Sequence, residues 1–75
     1  MASMEKQGTH FWHMVIQTPG ADGRMQVTSC QGTTTPKRGV TRLDLFNEVR
    51  ELVRSNHPHT EHGAVIAFDV QPNKL

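Results

Sequence analysis

Thr9-His10-Phe11-Trp12-His13-Met14-Val15-Ile16-Gln17-Thr18 is the stretch that decides the fold of this chain. It reads as a β-strand, in which side chains alternate across the sheet, so Trp12, Met14 and Ile16 share one face while Phe11, His13 and Val15 share the other. A strand covered on one side only alternates apolar with polar residues, and this one is bulky and apolar on both. Its expected place is therefore the centre of a sheet with material against each face. A chain of 75 residues has little from which to build both covers, so the strand points to a partner, a second copy being the simplest.

Working outward, the length allows one domain and no second core. A domain of this size buries only about 60% of its unfolded surface, which implies modest stability. Hydrophobic residues make up 35% of the chain, below the usual ~45–50% that also counts glycine, so they must be placed efficiently. The single cysteine excludes an internal disulfide framework and suits a reducing compartment. No run approaches the ~18 apolar residues of a membrane span, and the N-terminus lacks a signal-peptide core, so a cytoplasmic protein is expected. A formal charge of +1 gives no global argument for nucleic acid or a membrane surface.

Residues 1–8 are polar and weakly patterned and are expected to fray. Residues 9–72 read as a single domain, with 73–75 as a tail. Pro19-Gly20-Ala21-Asp22-Gly23 is a dense turn cluster that folds the first strand into a hairpin. The return strand, Arg24 to Gln31 or Thr33, carries Met25, Val27 and Ser29 on one face and Gln26, Thr28 and Cys30 on the other. Its greater polarity suits an edge. Residues 32–39 read as an irregular loop.

The helix follows. Thr41 with Asp44 forms a capping box, and Leu45, Phe46, Val49, Leu52 and Val53 make one apolar stripe. Glu51 and Arg54 are spaced to pair, an interaction worth a few tenths of a kcal/mol. Asn56 and Pro58 end the helix near Ser55. Ala64 to Val70 is the last strand, with Ile66, Phe68 and Val70 as its heavy face and Val65 and Ala67 on the lighter one. The order is thus ββαβ, an α+β fold with a three-stranded antiparallel sheet in order 2-1-3 and one helix on one face. The opposite face has no cover within the chain.

Three constellations carry possible chemistry. His57, His59 and His62, with Glu61 between, are dense in metal ligands and would suit zinc or nickel. They match no recognised ligand spacing, and a polar loop at a helix C-terminus is the plainer reading. Lys37, Arg38 and Arg42 at the helix start, extended by Arg50 and Arg54, form a basic patch fit for a phosphate backbone. It has no Walker spacing and no aromatic RNA-binding motif, and Asp44, Glu48 and Glu51 adjoin it. Ser29 and Cys30 lie on a strand with no histidine assigned to activate either, and no cofactor is implied. Trp12 reads as core rather than as a stacking platform.

The segment Thr41-Arg42-Leu43-Asp44-Leu45-Phe46 and the ending Phe68-Asp69-Val70-Gln71-Pro72-Asn73-Lys74-Leu75 resemble short uncharacterised proteins of actinobacteria and their phages. The resemblance covers the last half of the chain and implies no catalytic residue, cofactor or substrate.

The reading that follows is a small interaction module, homodimeric through the sheet face opposite the helix, with Phe11, His13, Val15, Val65 and Ala67 in the contact. A different protein on that face, or an edge strand extending the sheet between molecules, are its variants. Phosphate-backbone binding through residues 36–42 and the helix arginines is the alternative, and metal binding at residues 57–62 a second one.

Overall fold

Period-two alternation carries β1, His10–Pro19, through the middle of the sheet in the computed structural model, which describes residues 6–75. Trp12, Met14, Ile16 and Thr18 are buried, while Phe11, His13, Val15 and Gln17 between them are half-buried. One face of β1 is thus fully covered and the other is not. β2, Met25–Thr34, and β3, Ala64–Pro72, pair antiparallel on either side of β1, giving the order β2-β1-β3. That is the expected α+β arrangement of three strands and one helix.

The β1–β2 turn is built by its residue types. Gly23 takes φ of 84°, a left-handed conformation open to glycine, and Asp22 Oδ1 accepts the Arg24 N–H at 3.0 Å. The hairpin closes with the Gly20 N–H donating to the Arg24 carbonyl at 2.6 Å.

α1, Arg42–Asn56, starts at the expected capping box. Thr41 Oγ1 accepts the Asp44 N–H, and Asp44 Oδ2 accepts the Thr41 N–H, both at 3.1 Å. The helix runs one residue past the expected end, to Asn56, because the His57 N–H still reaches the Val53 carbonyl at 2.7 Å. Leu45, Val49 and Val53 are buried against Trp12, Met14 and Ile16 and form the core with them. Phe46 flanks it, edge-on to Phe68 with ring centroids 5.2 Å apart. Leu52 departs from the expected stripe and stays 48% exposed. A one-turn 3-10 helix, Pro58–Thr60, then folds Thr60 into full burial, its hydroxyl donating to the His57 carbonyl.

β3 departs from simple alternation. Val15 lies opposite Ala67 but Ile16 lies opposite Val65, so Ile66 is an extra, bulged residue. Below the bulge the faces exchange. Val65 joins Phe68 and Val70 in packing against the core, and Ile66 is 54% exposed. The assignment of Val65 to the uncovered face and of Ile66 to the heavy face is therefore corrected, because one inserted residue inverts every side chain beyond it.

The chain ends are tied together where they are described. Asn73 donates its backbone N–H to the Thr9 carbonyl and its side-chain amide to the Gly8 carbonyl and Gln7 Oε1. Gln7 and Gly8, expected in the frayed N-terminal segment, are thereby bonded to Asn73 of the expected tail, and residues 1–5 of that segment lie outside the described residues. No helix among the described residues is long and apolar enough to cross a membrane.

Candidate interaction face

The sheet face away from α1 is assembled by the strand register. Phe11, Val15 and His13 of β1 form its centre line, Val27, Ser29, Gln31 and Thr33 of β2 lie to one side, and Ala67, Asp69 and Gln71 of β3 lie to the other. Met25 and Val27 are 55% and 60% exposed here. Together with Phe11, Val15 and Ala67 they make a mixed apolar surface with uncharged polar groups between.

Charge distribution sets this face apart. The chain has eight basic and seven acidic residues, yet across the three strands only Asp69 is charged. Every other described charge lies on the helix, in a loop or at a chain end. A solvated strand face ordinarily carries charged side chains outward, whereas charge depletion marks the centre of protein interfaces.

His13 is held in place on this face. Its Nε2 and the Ser29 hydroxyl share a hydrogen bond of 2.7 Å, a pairing set by strand register, on the diagonal between Val15↔Ser29 and His13↔Gln31, and so not legible from residue types alone. A hydroxyl–imidazole pair is the start of a nucleophile–base arrangement, which also needs a third group to orient the base. Asp69 stands opposite His13 in register, but its Oδ1 accepts from Gln71 Nε2 at 3.1 Å. Among the described residues His13 makes no hydrogen bond to it, so the pair orients the ring and completes no triad.

The basic patch is divided by the fold. Arg50 turns inward, and its Nη2 donates to the carbonyls of Thr60 at 2.7 Å and of Glu61 and Gly63 at 3.3 Å. Arg54 pairs with Glu51 at 2.6 Å, as its spacing predicts. Arg50 is thus engaged with backbone carbonyls of the α1–β3 connection, whereas Arg54 stays partly exposed beside Glu51. Lys37, Arg38 and Arg42 remain exposed at the start of α1. Thr41 and Asp44 already occupy that helix terminus, and a phosphate there would meet the Asp44 carboxylate.

The histidine loop does not close on a point. His59 Nε2 bonds the Thr28 hydroxyl at 3.1 Å, and His62 Nε2 lies 3.3 Å from Glu61 Oε2. The rings of His57 and His59 stand edge-on, with centroids 6.0 Å apart. Among the described residues no group of three or more His, Cys, Asp or Glu side chains is placed to hold a metal ion.

No protein-family model, curated protein or solved structure matches this chain.

Proposed function

We propose that this protein is a small interaction module that self-associates through the sheet face opposite α1. The observation that carries the reading is the near absence of charge from strands that leave Phe11 and Val15 half-buried and Met25, Val27 and Ala67 exposed. Helix α1 covers one side of β1 and, among the described residues, no element packs over the other, although β1 is apolar on both. Burying apolar surface at about 25 cal/mol per Å2 rewards a contact here, and a two-fold axis lets one face complement itself.

Phe11 and Val15 would lie at the centre of the contact with Val27 and Ala67 around them. His13, fixed by Ser29, and Asp69 are the polar groups that would set its orientation. Sedimentation equilibrium at micromolar concentration tests this. The wild type is expected above its monomer mass of 8.4 kDa, and Val15→Glu is expected to lose the face contact while keeping its helix and Trp12 packing. A wild type that stays at monomer mass overturns the reading.

A further inference from the structure

The two edges of the sheet are not alike, and the difference carries an inference about assembly that does not depend on the face contact. Edge strands expose unpaired backbone groups and are ordinarily guarded by charge, proline, bulges or shortness. β3 has three of these guards, with the bulge at Ile66, a charge at Asp69 and Pro72 at its end. β2 has none. It is ten residues long, pairs with β1 in unbroken register, and contains no charged residue and no proline.

Hydrogen-bond parity identifies its free groups. The Gly20 N–H donates to the Arg24 carbonyl, which makes that opposed pair a hydrogen-bonded one, and antiparallel pairs alternate from there. The even-numbered residues of β2, Gln26 to Thr34, therefore bond to β1. Met25, Val27, Ser29, Gln31 and Thr33 direct their N–H and C=O groups to the free edge. A groove of about 410 Å3 runs along this edge under the end of α1, lined by Trp12, Cys30, Gly32, Leu52 and His57 among others. Half-exposed Leu52 overhangs it.

We infer that β2 pairs antiparallel with β2 of a second copy, joining two sheets into one of six strands. An uncharged strand meets no like charge when it pairs with itself, so the edge is self-complementary. A register centred on Ser29 sets Val27 opposite the second copy's Gln31 and keeps both open faces on one side. Both helices then share the other side, where each groove receives inner-face side chains of the second β2. The guarded β3 edges stop further addition, so growth closes at two copies through this contact. Combined with face packing it yields four copies.

Amide hydrogen exchange on β2 is the test. An unpaired edge gives alternation, with slow exchange at Thr28 and Cys30 and fast exchange at Val27, Ser29 and Gln31. Edge pairing makes all five slow in the wild type and also in Val15→Glu, which removes the face contact alone. Sedimentation gives the complementary readout. Val15→Glu is expected at two copies, as is Gln31→Pro, which deletes an outward N–H and spares the β1 ladder. The double variant is expected as a monomer. Backbone N-methylation at Gln31 in a synthetic chain serves if the proline variant fails to fold. Fast exchange at Val27, Ser29 and Gln31 in a chain that still associates would overturn edge pairing and leave the face reading intact. Slow exchange there together with a two-copy wild type unaffected by Val15→Glu would overturn the face reading instead.

Discussion

Arg50 is the residue whose chemistry is most changed by its surroundings. Three carbonyls of the α1–β3 connection converge on its Nη2 and share its two N–H donors, at a reach that the shorter lysine side chain does not match. Its Nη1 is buried without a partner among the described residues, so only part of the gain is realised. Arg50→Ala is expected to lower stability by about 1–2 kcal/mol in urea unfolding, and Arg50→Lys to recover only part of it. No change in the urea midpoint would show that the connection holds itself. Gly32 is constrained by close approach. A Cβ there would stand 2.9 Å from Trp12 Cζ2, so the buried indole would have to shift. Gly32→Ala is therefore expected to destabilise by about 1–3 kcal/mol, with a shift in Trp12 emission.

Among the elements, α1 is the one most legible in the residues. Its capping box is written in Thr41 and Asp44, and Thr41→Ala should cost about 1 kcal/mol by thermal or urea unfolding. The centrality of β1 was equally readable, since β1 carries bulky apolar residues on both faces while the more polar β2 suits an edge. β3 was readable as a strand but not in its facing. Ala64-Val65-Ile66-Ala67 is an unbroken apolar run, with no polar residue to mark which side is out, so a bulge inside it leaves no trace in the pattern. Two substitutions check the facing. Val65→Glu places a carboxylate against the core and should destabilise by at least about 2 kcal/mol. Ala67→Glu should leave the fold intact and weaken association. Equal stability losses in the two variants would contradict the bulge. The inward turn of Arg50 was likewise hidden, because it depends on where a later loop brings its carbonyls and not on helical spacing.

Across the described residues, one α-helix and three strands leave the sheet with a closed side and an open side. Charges crowd the helix, loops and ends, while the open face and the β2 edge are bare of them apart from Asp69. The proposed face and edge contacts would therefore lie at right angles, one across the sheet and one along it. Methyl contacts between copies distinguish face association from a solvated sheet face. In an equimolar mixture of isotope-labelled and unlabelled chains, filtered nuclear Overhauser spectra should show Val15 and Ala67 methyls of one copy against Val15, Val27 or Phe11 of the other. Their absence in a mixture that has exchanged subunits, with the Val15 methyls in contact with solvent, would contradict it.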